Sequence, residues 1–191
     1  MKWPQFFGLI LLLALTGCSP YDPKCANLLG SGRYCLQSTT VVTAFDVQQK
    51  VTLLRGSQSD TLIVELEVDP SGLRMVGVTP FGHKLIELNY DNQTVKASTT
   101  PDTRLSPTLL VALLQMALWP QASVREGLQT PLTLEDKGTQ RRIMHGSNPV
   151  LTITHDNAPP PYRQLQMTLH AADLELRIET LDDAAVMDNA P

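Results

Sequence analysis

Two runs of strand-like alternation flank one uncharged segment, and this arrangement limits the fold more than any other feature of the chain. In the alternating runs, apolar side chains recur at every second position, as half-buried antiparallel strands require. Between the runs, residues 106–123 contain no Asp, Glu, Lys or Arg. A helix in this segment is apolar on all sides, so it must be buried on most of them.

The first run predicts an antiparallel meander of about five strands, beginning near residue 41. Leu62, Val64, Leu66 and Val68 alternate with residues of the opposite face, and Asp-Pro-Ser-Gly at 69–72 is a strong turn sequence. Further strands are expected over residues 73–79, 84–90 and 94–98.

The uncharged segment predicts a helix that begins at Ser106 and Pro107, because Ser caps helices and Pro fits the first helical position. Pro120 ends it after Trp119. At roughly 20 Å this helix is too short to span a bilayer. Residues 123–128 are expected to add one more turn.

The second run predicts another five or so strands, over residues 132–135, 140–144, 150–155, 164–170 and 174–181. A sheet of about ten strands does not stay flat and exposed. The expected fold is therefore mainly β with α (α+β): an antiparallel sheet curled into an incomplete barrel and covered by one or two apolar helices.

The interior of this barrel is expected to be aliphatic, because only 5% of the residues are aromatic. Leu, Val, Ile and Met side chains would line it, and Val64 is one of them. With the uncharged helix as a lid, such an interior predicts an apolar cavity suited to an acyl chain. A helix that simply plugs a dry core is the alternative, and composition does not decide between the two.

The N-terminus predicts an export signal over residues 1–17. Lys2 precedes an uncharged apolar run over residues 6–15, which is too short to span a bilayer. Leu-Thr-Gly-Cys at 15–18 then resembles the lipobox of bacterial lipoproteins, in which the chain is cut before the cysteine and that cysteine is acylated. An ordinary secreted protein with a cysteine near its cleavage site is the alternative.

This resemblance implies that Cys18 is the lipid attachment site and carries palmitate-like chains. Two or more such chains anchor a protein stably. The residue after Cys18 is Ser19, whereas an Asp at this position would resemble an inner-membrane retention signal. Ser19 therefore favours the periplasmic face of the outer membrane. The expected domains are a signal peptide (1–17), a lipid-anchored tether (18–30), a lipid-binding domain (31–181) and a flexible tail (182–191).

Cys25 and Cys35 remain as an even pair, which predicts a disulfide in an oxidising compartment. Such a bond would contribute about 2–3 kcal/mol; free thiols are the alternative. A metal site would need further ligands, and the four histidines are scattered along the chain. We therefore expect no metal and no cofactor.

Nucleic-acid binding and catalysis are not supported. The net charge is −4, and Arg141-Arg142 forms the longest basic cluster, whereas nucleic-acid partners require a basic stripe. Neither a Gly-rich phosphate loop nor a nucleophile elbow is present in the sequence. We expect a protein that is not an enzyme.

Three motifs carry a family resemblance: Thr-Pro-Phe-Gly-His-Lys-Leu at 79–85, Leu-Trp-Pro at 118–120 and Leu-Arg-Ile-Glu-Thr-Leu at 176–181. They resemble recurring motifs of a bacterial lipoprotein family, of unassigned activity, encoded in aryl polyene and fatty-acid-like biosynthesis clusters. Residues 76–88 also resemble the strand–loop–strand of the outer-membrane lipoprotein receptor LolB, a relative of the carrier LolA. The resemblance covers about residues 30–181 and implies a LolA/LolB-like fold.

The LolB resemblance implies a membrane-inserting loop at Pro80, Phe81 and Gly82. In LolB the apolar residue of this loop is implicated in delivery to the membrane, and a buried Phe gains about 1.5–3 kcal/mol. Phe81 is accordingly expected to project from the sheet and enter the bilayer. Folding back into the core is the alternative.

Together these features predict an outer-membrane lipoprotein that binds an acyl or aryl polyene lipid and assists its transfer into the outer membrane. Its expected partners are the outer membrane through acylated Cys18, the lipid or acylated cargo, and a periplasmic LolA-like carrier. A LolB-type receptor for acylated lipoproteins is one alternative. A structural lipoprotein that scaffolds biosynthetic enzymes without a cavity is the other.

Overall fold

A computed structural model describes residues 23–99, 105–181 and 185–186 of the chain. The predicted signal peptide, Cys18 and Ser19 lie outside these ranges. The fold is mainly β with two α-helices, and a curled antiparallel sheet that does not close into a barrel forms its body. The predicted fold class, an incomplete barrel with helices, is confirmed.

The chain begins with a small hairpin and then enters the first half of the main sheet. The hairpin consists of β1 (Cys25–Asn27) and β2 (Arg33–Cys35), and a 3-10 turn over Thr39–Val41 follows. The next strands are β3 (Phe45–Arg55), β4 (Gln58–Asp69), β5 (Gly72–Val78), β6 (Lys84–Tyr90) and β7 (Val95–Thr99).

Two helices separate this half of the sheet from the second. They are α1 (Pro107–Leu118), whose cap Ser106 accepts a hydrogen bond from the Leu109 amide, and α2 (Gln121–Gly127). The second half comprises β8 (Leu132–Lys137), β9 (Gln140–His145), β10 (Asn148–His155), β11 (Gln164–Leu169), a 3-10 turn (His170–Ala172), β12 (Leu174–Thr180) and β13 (Ala185–Val186).

Ten strands follow one path through the main sheet, in the order β7-β6-β5-β4-β3-β12-β11-β10-β9-β8. Every neighbouring pair is antiparallel, and β13 continues the pairing of β3 beyond β12. The two edge strands are thus β7 and β8. These two edge strands do not pair with each other. Because α1 contacts β7 and α2 contacts β8, the two helices lie between them.

One face of the sheet, here called the inner face, carries the core. Alternation along each strand turns its apolar residues toward the helices and its charged residues outward. Inner-face side chains that are at least nine-tenths buried include Phe45, Val47, Val64, Leu66, Leu88, Leu151, Ile153, Met167, Leu174 and Leu176.

The connections between strands fall at two ends of the sheet, because neighbouring strands run in opposite directions. The closed end contains the connections β4–β5, β6–β7, β8–β9 and β10–β11, whereas the open end contains β3–β4, β5–β6, β9–β10 and β11–β12. Helix α1 starts after β7 has reached the open end. The C-terminal part of α1 contacts Ser38, which precedes the start of β3 at the closed end.

The folded unit begins earlier than the predicted boundary at residue 31. Part of the predicted tether forms β1, and Ala26 and Leu28 are 2% and 0% exposed. These apolar side chains pack into the core, but three residues are too few to show a strand period in the sequence. Of the predicted tail, residues 185–186 pair with β3, and the remainder lies outside the described ranges.

Within the described residues, neither helix has the length and apolar character needed to cross a membrane.

Candidate functional site

Helix α1 is fixed to the chain before β3 by a reciprocal pair of hydrogen bonds. The Gln115 amide nitrogen donates to the Gln37 carbonyl at 2.8 Å, and the Gln37 backbone N–H donates to the Gln115 side-chain oxygen at 2.7 Å. Gln115 is completely buried. A buried amide is costly unless its polar groups are paired, so this contact positions the helix on the core.

Two aromatic side chains bind the same segment. The indole N–H of Trp119 donates to the Ser38 carbonyl at 2.9 Å, and the Tyr90 hydroxyl donates to the Gln37 carbonyl at 3.2 Å. Burial raises the pKa of Tyr90 to about 12, so its hydroxyl keeps the proton that it donates at neutral pH. The Gln37–Ser38 segment therefore contacts both the helix and β6.

A buried guanidinium holds the C-terminus of α1. Arg141 Nη1 donates to the carbonyls of Met116 at 2.8 Å and Trp119 at 2.9 Å. Its Nε and Nη2 both contact the Asp136 carboxylate at 2.9 Å. The last carbonyls of a helix lack intrahelical partners and carry partial negative charge, so a paired cation here is favourable.

The buried side chains of Gln115, Trp119 and Arg141 fill the closed end. At this end the alternative of a helix filling a dry core describes the structure, because α1 is buried from Val111 to its end at Leu118. Neither residue was predicted to hold the helix: Gln115 lies within the uncharged segment, and Arg141 was predicted only as part of the basic pair Arg141-Arg142. The period of β9 was the available signal for Arg141, since it shares a face with the buried Ile143.

The open end has a different surface. Val51, Leu53 and Leu62 lie on the inner face and are only partly buried, although they pack against the core. Val51 and Leu62 are register partners, and Leu53 follows on the same face of β3. Val64, the predicted lining residue, lies one inner-face position deeper and is 6% exposed.

The start of α1 lies at the same end of the sheet and is also apolar. Leu105 and Leu110 are also only partly buried, whereas Leu109 is 2% exposed. Here we call Val51, Leu53 and Leu62 the mouth. These three aliphatic side chains lie on the concave face at the open end and remain partly accessible.

Phe81 projects from the loop between β5 and β6, at the open end. Its side chain is 89% exposed, so it does not fold back into the core. The loop is nevertheless well bonded: the Gly82 N–H donates to the Thr79 carbonyl, and the Thr79 N–H donates to the His83 carbonyl, each at 2.9 Å. Gly82 has φ +84°, a conformation that favours glycine. Pro80, Phe81 and Gly82 thus form a hydrogen-bonded turn that presents an aromatic ring.

The outer face carries a groove of quite different character. Its volume is about 590 Å³, and it crosses β3, β12, β11 and β10. Most of its lining residues are polar, and they include the outward positions Lys50, Thr52, Thr154, Gln164, Gln166, Arg177 and Glu179. This groove is not the aliphatic cavity that the composition predicts.

Cys25 and Cys35 are register partners in the β1–β2 hairpin, and their sulfur atoms are bonded at 1.95 Å. The histidines are dispersed: His83 is in the Phe81 loop, His155 stacks on Tyr162, and His170 contacts Thr152. In the described ranges, no group of three or more His, Cys, Asp or Glu side chains could hold a metal ion.

Comparisons with known proteins identify a family over most of the sheet. A family model described as "Protein of unknown function (DUF3261)" matches residues 46–182. No curated protein sequence matches the chain. Among solved structures, a proposed outer membrane lipoprotein-sorting protein domain from Vibrio parahaemolyticus is 11% identical, with a TM-score of 0.38. The match covers 78% of this chain and 87% of that one.

Proposed function

We propose that this chain, which belongs to the DUF3261 family, binds an acyl chain at its open end and assists the transfer of a lipid into the outer membrane. One observation carries the proposal: the exposed Phe81 and the partly exposed mouth lie at the same end of the sheet. An exposed apolar ring beside an aliphatic concave surface is typical of a site that contacts lipid.

Phe81 is suited to membrane contact because its turn holds it away from the core. Moving a Phe side chain from water into an apolar phase gains about 1.5–3 kcal/mol. That gain is modest, so it supports repeated contact and release rather than permanent insertion. Permanent anchoring would come from acyl chains on Cys18, which we propose to hold the protein at the periplasmic face of the outer membrane.

The mouth supports an acyl or polyene chain as the bound group. Val51, Leu53 and Leu62 offer aliphatic contacts without a hydrogen-bonding pattern, so they would select for length and bulk rather than for one molecule. An acylated protein and an aryl polyene lipid both present such a chain. Identifying the lipid or protein that co-purifies, by native mass spectrometry, separates a lipid carrier from a LolB-type receptor.

Vesicle flotation tests the membrane-contact part of the proposal. Unacylated protein, made as residues 18–191 with Cys18→Ser, is mixed with vesicles of phosphatidylethanolamine and phosphatidylglycerol. We expect Phe81→Ser to reduce the floated fraction several-fold. Val41→Ser is the matched control, because Val41 is also an exposed apolar residue (43%) but lies before β3 at the closed end.

Equal flotation of the Phe81 variant and the starting protein would reject Phe81 as the membrane contact. A protein that co-purifies with no acyl-containing molecule and binds none when offered would favour the scaffolding alternative.

A further inference from the structure

Arg55 occupies a distinctive place at the open end. It is the last residue of β3 and lies on the inner face, in line with Val51 and Leu53. Its register partners are Gln58 on β4 and the buried Leu174 on β12. Although it precedes a hairpin turn, Arg55 is partly buried. The aliphatic row of the mouth therefore ends at a cation.

The guanidinium of Arg55 has no partner among the described residues. Its Nε–H is buried and donates to no neighbour, and none of the carboxylates that the structure describes lies within ion-pair distance. Asp60, one inner-face pair away on β4, is exposed and does not pair with it. By contrast, Lys50 and Arg177 each contact a glutamate. A buried donor without an acceptor is unfavourable, so an incoming oxyanion would relieve a real deficit.

We infer that Arg55 binds the anionic head group of an amphiphile whose alkyl chain lies on Val51, Leu53 and Leu62. This inference rests on the proposed function and narrows its ligand class to chains with a carboxylate or phosphate head. A guanidinium binds both oxyanions through paired N–H donors. At about 3.3 Å per strand residue, Arg55 lies roughly 13 Å from Val51, so chain and head group have separate binding surfaces.

Matched eight-carbon amphiphiles test the inference: octanoate, octyl phosphate and octanol share one chain and differ only in the head. Binding is measured by equilibrium dialysis to the full exported chain in nanodiscs, with empty nanodiscs subtracted. We expect the tighter of the two anions to bind about tenfold more strongly than octanol, as one charge-assisted hydrogen bond provides. The preferred anion distinguishes a carboxylate from a phosphate ligand.

Three variants assign the preference to Arg55. Arg55→Gln is expected to reduce anion binding to the level of octanol, and Arg55→Lys is expected to retain part of the preference. Arg142→Gln is the control, because Arg142 is an exposed cation on the outer face of β9 that forms no ion pair with a described residue. It should leave all three affinities unchanged.

Two outcomes overturn the inference and are distinguishable. If the anions and octanol bind equally to the starting protein, or if Arg55→Gln keeps the preference, the head-group site is wrong while acyl binding stands. If none of the three amphiphiles binds, acyl binding at the mouth fails as well, and with it the proposed function.

Discussion

The closed and open ends of the sheet differ in how their principal side chains are paired and exposed. At the closed end, Gln115, Trp119 and Arg141 are buried, and each is bonded to backbone carbonyls. At the open end, Arg55 lacks a partner among the described residues and Phe81 is 89% exposed. The same helix begins at the open end and ends at the closed one.

This difference indicates that the closed end stabilises the fold, whereas the open end is available for binding. Polar contacts in a dry interior fix one arrangement, because breaking them leaves unpaired groups. Partly exposed aliphatic side chains have no polar groups to leave unpaired, so they can exchange water for a ligand without that cost. We therefore expect mutations at the closed end to change folding stability and mutations at the open end to change ligand or membrane binding.

The largest expected effect is that of Arg141→Met. Removing this guanidinium leaves Asp136 and the carbonyls of Met116 and Trp119 without their partner, and Asp136 is only 15% exposed. Breaking a buried pair in this way costs about 3–5 kcal/mol. The free energy of unfolding, measured in urea, should fall by that amount. Arg142→Met, on the exposed neighbouring position, should change it by less than about 0.5 kcal/mol.

If the two arginine variants lose similar stability, then Arg141 is not a buried anchor and the contrast between the ends fails.

A second pair of variants compares two register partners across β3 and β12. Leu176 is 6% exposed, whereas Leu53, opposite it, belongs to the mouth. Leu176→Ala should cost about 2–5 kcal/mol of unfolding free energy, as buried leucines do. Leu53→Ala should cost less than about 1 kcal/mol but weaken acyl binding, which dialysis with octanol measures. Equal stability losses would mean that the mouth is part of the core.

The architecture was largely predictable from the sequence, because it depends on local periods. Alternation located the strands, and the uncharged segment with its Ser106–Pro107 start and Pro120 stop located α1. The turn containing Phe81 was also apparent, since an aromatic residue stood between two strand patterns where a polar one is usual. These features need only neighbouring residues for their interpretation.

The contacts that distinguish the two ends were not predictable in this way. Gln115 and Gln37 are 78 residues apart in the chain, and Arg141 lies 25 residues from Met116. No local period specifies which distant backbone segment meets a buried amide or guanidinium. Likewise, Arg55 becomes notable only once the register places it at the end of an aliphatic row.

Gln115→Leu should have a smaller effect than Arg141→Met. The volume of the side chain is nearly kept, but the Gln37 N–H loses its partner, and the Gln37 carbonyl keeps only the Tyr90 hydroxyl. The expected cost is about 1–3 kcal/mol, which thermal unfolding would report as a lower Tm. Hydrogen exchange at the Gln37 amide should accelerate at the same time. Unchanged exchange there would show that this segment is held by its other contacts.

The smallest expected effect is the pH dependence of the Asp69 turn, which lies at the closed end. Hydrogen bonds from the Ser71 hydroxyl and from the backbone amides of Ser71 and Gly72 hold the pKa of Asp69 below its usual range. Because the folded-state pKa is depressed, the stabilisation is present above the unfolded-state pKa of about 3.9 and is lost as the pH falls through the folded-state value. The open-end turn uses the Thr79 hydroxyl, which does not titrate in this range.

Asp69→Asn isolates this effect, because the Asn oxygen can accept the same hydrogen bonds without titrating. We expect the variant to be the less stable protein at neutral pH, and the gap in unfolding free energy to close as the pH is lowered from about 6 to about 2. Urea unfolding at each pH measures the gap. A gap that stays constant with pH would mean that ionisation of Asp69 adds nothing to the turn.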